Sequence, residues 1–272
     1  MKVNELINHL DHKFPLFLQE DYDNSGEQIS FHNTDIKGIL LSLDLDTLVI
    51  DEAIEKGTNL IITHHPFFFK PLRRITPGDP SSELLLLLIE KKISVYSAHT
   101  NLDKVYFDKL GELLGIKNRK LLIRTDHYEV PESEEYGFGV YGEFPRALLL
   151  KEILNTVKHR LNLKFVIYSG NEESIIKTIA IVGGSGGGMI ETILDEHDVQ
   201  CIITGDIGYH PCKIALNYGV PVIDAGHFGT EKILLNFLKD EINVYLTKVK
   251  NSYDVRVFLS KKEENPFKIH IT

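Results

Sequence analysis

Short apolar runs that end in histidine set the frame for this chain. Asn59-Leu-Ile-Ile-Thr63 leads into His64 and His65, Ile93-Ser-Val-Tyr-Ser-Ala98 into His99, Cys201-Ile-Ile-Thr-Gly-Asp206 on to His210, and Val220-Pro-Val-Ile-Asp-Ala-Gly226 into His227. Each run is rich in Ile and Val and bounded by turn residues, the pattern of a strand buried on both faces. Ligands of an open α/β sheet gather beyond the carboxyl ends of its strands. Five of the 12 histidines therefore select one edge of such a sheet, and that edge is the place to look for a metal or acid–base site.

Helical segments separate the runs. Ile36 to Leu43 reads as a strand, Thr47 to Lys56 as a helix, Leu60 to Thr63 as a strand, Ser82 to Lys91 as a helix and Ile93 to Ser97 as a strand. A helix over Asp103 to Leu114, stopped by Gly115, follows. The second half repeats this order about 140 residues later: Ile176 to Val182, a helix over Met189 to His197, then Cys201 to Thr204. Ile-Ile-Thr-His64-His65 aligns with Ile-Ile-Thr-Gly205-Asp206, and both halves place a carboxylate four residues after a histidine, His99 with Asp103 and His227 with Glu231. The expected fold is α/β, with two similar α/β domains from an internal duplication, 1–125 and 126–272, and mixed sheets flanked by helices. Between the repeats, Gly137 to Phe144 reads as a strand, Pro145 to Leu161 as a helix and Phe165 to Tyr168 as a strand. Val244 to Val249 and Asp254 to Leu259 read as a terminal hairpin or two edge strands that pack back on the first domain.

Composition narrows the function classes. The 272 residues are 43% hydrophobic and 25% charged, as in globular proteins. The longest wholly apolar run, Leu84 to Ile89, falls far short of the ~20 residues of a membrane span. The first ten residues alternate at helical spacing and do not read as an export signal, so a cytoplasmic location is expected. Cys201 and Cys212, the only cysteines, form no close C-x-x-C pair, which excludes a thiolate zinc site. A net charge of −9 disfavours nucleic acid as a partner.

His64-His65 at a bent strand end can serve two adjacent metals. His227 and Glu231 can share a cleft from the first turn of one helix, and Asp103 holds the matching place in the first half. Three imidazoles and two carboxylates suit two divalent ions, Zn, Fe or Mn, as in two-metal hydrolases. Each element has a plainer alternative. His64-His65-Pro66 can be a turn with surface rings, and Glu231 can face a helix N-terminus. His99 suits an orienting role or proton transfer, and His210, with Asp206, borders the same edge as a second proton-transfer candidate. Gly183-Gly-Ser-Gly-Gly-Gly188 is a tight turn or a phosphate cradle, without the Lys-Ser/Thr of a P-loop.

With these residues placed, the chain resembles the NIF-three-like dinuclear metal-centre family, also called GTP cyclohydrolase 1 type 2 homologues. The matching motifs are Thr63-His64-His65-Pro66, Ser97-Ala-His99-Thr-Asn-Leu-Asp103, Thr204-Gly-Asp206 and Asp224-Ala-Gly-His227 through Glu231, with Asp23-Asn-Ser-Gly26 near the start and Asn265-Pro-Phe267 near the end. The resemblance implies a metal pair held by His64, His65, Asp103, His227 and Glu231 in the cleft between two α/β domains. It also implies a toroidal homohexamer of the short form, without an inserted domain, and a small-molecule substrate that includes nucleotides. The alternative function is a ring-shaped metal-binding or interaction protein without catalysis, one whose ring could encircle nucleic acid. Three positions depart from the family pattern: Glu27 in Gly26-Glu-Gln28, Tyr22 where Trp is common, and Gly139-Val-Tyr141, which lacks an Arg. None is an expected metal ligand.

Overall fold

Two sheets organise the chain in the computed structural model, which describes residues 1–249 and 254–270. In chain order the elements are α1 (Val3–Lys13), β1 (Gly26–Ile29), β2 (Gly38–Ser42), α2 (Thr47–Lys56), β3 (Leu60–Thr63), α3 (Pro80–Lys91), β4 (Ser94–Ser97), α4 (Thr100–Val105) and α5 (Lys109–Leu113). Then come β5 (Lys117–Arg124), β6 (Gly137–Leu149), α6 (Leu150–Arg160), β7 (Ile167–Tyr168), β8 (Ile175–Ile181), α7 (Ile190–Glu196), β9 (Ile202–Thr204), α8 (Tyr209–Asn217), β10 (Val222–Asp224), α9 (His227–Lys232), α10 (Leu234–Lys248) and β11 (Arg256–Leu259). Among the described residues no helix is long and apolar enough to cross a membrane.

The chain divides into a first unit, residues 1–102 with 235–272, and a second, Asp103–Leu234. The boundary falls at 102/103 rather than 125/126, because β5 pairs with β6 and belongs to the second sheet.

The first unit carries a five-stranded sheet in the order β1-β4-β3-β2-β11. Its three central strands are parallel, and Ser42, Thr63 and Ser97 stand abreast at their carboxyl ends. Alternate residues point to opposite faces. Leu40, Ile61 and Val95 pack with Val49, Ile50 and Ala53 of α2 and Leu88 of α3, while Ile39, Leu41, Leu60 and Ile62 are fully buried on the other side. Both faces are covered, which accounts for the unbroken Leu/Ile runs. Helix α2 begins where the Asp46 carboxylate accepts from the Val49 amide (2.8 Å) and stops at Gly57 in the left-handed region, φ 67°.

The second unit carries a six-stranded sheet, β5-β6-β8-β9-β10-β7, in which β8, β9 and β10 are parallel. Ile181, Cys201, Ile203 and Ile223 pack with Leu150, Ile153 and Val157 of α6 on one face; Ala180, Val182, Ile202 and Val222 pack with Ile190 and Ile193 of α7 and Ala215 of α8 on the other. Both units thus contain three parallel strands joined by helices.

Three expected elements differ. The segment from Asp103 to Leu114 is two short helices, not one. The helix expected from Pro145 starts only at Leu150. β6 runs on through Leu149, with Pro145 in a register irregularity between Glu143 and Leu148, where its missing amide breaks no ladder bond. Val244 to Lys248 belongs to α10, because Leu234, Leu235, Leu238, Ile242 and Leu246 recur at helical spacing and are buried, whereas Val244 is exposed. The turn expected between that segment and β11 lies outside the described residues.

Two buried carboxylates fix the returning segment. Glu52 of α2 accepts from Ser260 Oγ (2.7 Å) and the Lys261 and Lys262 amides, and Glu263 accepts from the Leu43 and Asp44 amides (2.6 and 2.8 Å). Burial pushes the Glu52 carboxyl up, but the bonds from Ser260 and these amides, with Lys56 nearby, outweigh it and hold it below the ordinary carboxylate range. A depressed carboxyl stabilises the fold above its ordinary range, and that contribution is lost as pH falls through the folded value. Glu52→Gln is expected to lower unfolding free energy by about 1–3 kcal/mol at neutral pH, and the difference from wild type should shrink on acidification; denaturant titrations at several pH values check both.

Candidate metal centre

In the first unit the strand ends set the histidines. The ladder continues past β3, with the His64 amide donating to the Ser42 carbonyl (3.0 Å) and the His65 amide to the Leu43 carbonyl (2.8 Å). Thr63 Oγ1 bonds Ser97 Oγ (2.7 Å) and the His65 carbonyl (2.8 Å), which fixes the bend. The two rings leave this bend with centroids 5.1 Å apart, and His99, two residues past β4, places its ring 5.2 and 5.5 Å from them. One ligand atom from each of the three lies within 4.8 Å of the others, a grouping that could hold an ion.

The Nδ1 partners decide what these rings offer. His64 Nδ1 meets the Ala98 carbonyl, His65 Nδ1 meets Asp44 Oδ1 and His99 Nδ1 meets Asp23 Oδ1, each at 2.8 Å. Carbonyl and carboxylate oxygens only accept, so Nδ1 carries a proton, and in the neutral ring Nε2 is then the nitrogen with the lone pair. The Asp23 side chain is fully buried. Burial pushes its carboxyl up, but the bonds from His99, Thr100 and the Asn24 amide outweigh it and hold it well below the ordinary range. It is a fixed negative charge behind His99.

The second unit builds a matching group. Thr204 and Asp224 stand abreast at the ends of β9 and β10. Two residues past Thr204, Asp206 takes the left-handed region, φ 53°, and its Oδ2 meets His227 Nδ1 at 2.7 Å. His227 opens α9, and one turn later Glu231, 4% exposed, brings Oε2 to 2.9 Å from Nε2. The Glu231 carboxylate, opposed by burial and helped by Asp206, raises His227 to about 9. One positive charge is thus held between imidazole and carboxylate, and a proton or a cation can supply it. Asp103, on α4, offers a carboxylate oxygen within 4.8 Å of one from Glu231.

The Gly183–Gly188 loop serves this group as a tight turn. The Gly184 amide donates to Thr230 Oγ1 (2.9 Å) and the Gly186 amide to Thr204 Oγ1 (3.0 Å), so two amides of the conceivable phosphate cradle are committed to the protein. Gly184 has φ 63°, and a Cβ there would lie 2.1 Å from Glu231 Oε1. Only glycine leaves room for that carboxylate.

Each expected ligand thus sits in one of two clusters: His64 and His65 in the first unit, Asp103, His227 and Glu231 in the second. The His99 ring stands nearly as close to both histidines as they do to each other. His210 joins no such grouping among the described residues; it is exposed on the first turn of α8 with its ring against Tyr209. Sequence reasoning missed Asp44, although it too stands just past a strand end, and it read Asp23 only as part of a motif. Gly184→Ala is expected to cost about 1–3 kcal/mol of stability, while Gly188→Ala, where a Cβ meets nothing within 4 Å, should change it by less than about 0.5 kcal/mol; thermal denaturation of both variants tests the contrast.

The chain as a whole is similar to known proteins. The family model described as Duf34/NIF3 (NGG1p interacting factor 3) matches residues 1–266. A Clostridium acetobutylicum protein named GTP cyclohydrolase 1 type 2 homolog is 34% identical over 271 residues, covering 98% of each chain. A Helicobacter pylori protein named GTP cyclohydrolase 1 type 2 is 32% identical over 235 residues, 85% of this chain and 87% of that one. Among solved structures, a Bacillus cereus protein related to NIF3 matches with TM-score 0.90 at 22% identity, and a Staphylococcus aureus protein with 0.88 at 27%, each over 99% of both chains. The strand-end histidines and the sheets that carry them are thus those of a protein of the DUF34/NIF3 family, to which this chain belongs.

Proposed function

We propose that this protein is a dinuclear metal-dependent hydrolase whose ligands for two divalent ions, Zn, Fe or Mn, are His64, His65, Asp103, His227 and Glu231. The observation that carries this reading is the state of the imidazoles. His64, His65 and His227 each commit Nδ1 to an acceptor 2.7–2.8 Å away, which fixes the ring and leaves Nε2 as the nitrogen that can bind an ion. Metal-binding histidines are characteristically held in this way. The 2.9 Å contact between His227 Nε2 and Glu231, which already holds one positive charge, is the second support.

When bound, such ions supply Lewis acidity and acidify water toward neutral pH. The chain supplies the rest. Asp44 and Asp206 keep His65 and His227 in register. His99 is the proton carrier: Asp23 accepts from its Nδ1–H and fixes the ring, which leaves Nε2 as the nitrogen that exchanges a proton. The Helicobacter relative's name makes GTP the first substrate to try.

Metal analysis is expected to find two divalent ions per wild-type chain and fewer in Glu231→Gln, with hydrolysis of GTP or phosphoesters reduced at least about 100-fold. Only trace metal in gently purified wild type sinks the metal assignment; full activity in Glu231→Gln sinks the hydrolase assignment alone. Asp206→Ala, which touches no ligand atom directly, should weaken metal affinity about 10- to 100-fold, as read by competition with a chromogenic chelator.

A further inference from the structure

Beside the first-unit histidines lies a surface the metal chemistry does not use. After His65 the chain enters Phe67-Phe-Phe-Lys-Pro-Leu-Arg-Arg74, and Phe69 is 48% exposed. Its ring stands 6.3 Å from that of Tyr22, itself 61% exposed, at an interplanar angle of 49°, and 6.3 Å from His99, edge to face. The rings form a row from solvent to the histidine cluster: Tyr22, Phe69, His99, then His64 and His65.

The row is anchored. Asn24 Nδ2 donates to the Phe68 carbonyl (2.8 Å), the Phe68 amide donates to Gln28 Oε1 (3.1 Å), and Gln28 Nε2 returns to the Asn24 carbonyl (2.7 Å). The segment bearing Tyr22 and the loop bearing Phe69 are therefore tied beside both rings. Two large aromatic rings side by side leave apolar surface in water, and covering it would be favourable.

The charge beside them has one sign. Lys70, Arg73 and Arg74 are exposed, and among the described residues none is paired with a carboxylate. Three unpaired cations within five residues are notable in a chain of net charge −9. Arg73 is four residues from Phe69, within ~14 Å along the chain. Aromatic faces take planar heterocycles, and guanidinium groups take phosphate.

We infer that Tyr22 and Phe69 form a stacking shelf for a nucleobase, and that Lys70, Arg73 and Arg74 bind the phosphates of the same mononucleotide. Stacked there, the base has its edge toward His99. This assignment rests on the hydrolase reading for its place in a reaction, but not for binding itself. A mononucleotide fits better than a polynucleotide, because the chain's net negative charge repels a long polyanion while three local cations match one phosphate chain.

The test is equilibrium binding of GTP and of inorganic tripolyphosphate to the full chain, both as purified and after treatment with chelator. Tyr22→Ala and Phe69→Ala should each weaken GTP about 5- to 150-fold and leave tripolyphosphate and metal content unchanged, and Tyr22→Phe should keep GTP affinity. Arg73→Ala with Arg74→Ala should weaken both probes and flatten their salt dependence. The inference is overturned if wild type binds no GTP at millimolar concentration, if the aromatic variants bind it as wild type does, if they lose both probes equally, or if a dT oligonucleotide binds more tightly than GTP. Shelf-dependent GTP binding in a wild type that holds no metal supports the inference while the metal assignment fails.

Discussion

An imidazole presents a lone pair on one nitrogen only when something else holds the proton on the other. Four histidines here meet that condition at 2.7–2.8 Å, and their acceptors are one main-chain carbonyl and three carboxylates. Those acceptors need fixed positions of their own, and parallel strands supply them. With Ser42, Thr63 and Ser97 abreast, every loop leaving that edge starts from the same line, so Asp44, His64, His65 and His99 converge without long connections. In the second unit the same holds for Thr204 and Asp224, which launch Asp206 and His227.

Local strain accompanies this convergence. Asp206 adopts a left-handed backbone that a residue other than glycine rarely takes, and in doing so it delivers its carboxylate to His227. Close approach is met by removing side chains altogether: a Cβ on Gly205 would lie 2.6 Å from the His227 amide, and one on Gly187 2.6 Å from the Asp206 carbonyl. The glycine-rich loop is a packing device whose sequence looks like a phosphate cradle.

Much of this was legible in the residues. Helix α2 was readable to both ends because Asp46 and Gly57 mark them chemically, and β3 because its four residues are apolar, branched and flanked by turn formers. The expected ligands were readable because they lie just beyond such strands. What escaped depends on contacts distant in sequence. Asp44 and His65 are 21 residues apart, Asp23 and His99 76, and no local spacing announces either pair. Val244 to Lys248 has the composition of a strand, yet its neighbours in α10 bury a helical stripe, and tertiary packing overrides propensity. The unit boundary escaped for a related reason: β5 is polar along much of its length, and only its pairing with β6 assigns it.

Glu263 gives the first unit a chain-order consequence. Its carboxylate holds the Leu43 and Asp44 amides, and Asp44 in turn holds His65, so a histidine early in the chain relies on a residue about 200 positions later. β11, which completes the sheet beside β2, arrives equally late. During synthesis the whole second unit emerges before either piece exists. Until then the open edge of β2 and the untethered loop at Leu43 and Asp44 belong to an unfinished sheet, and the histidine pair that follows β3 is present in sequence before it is present in geometry.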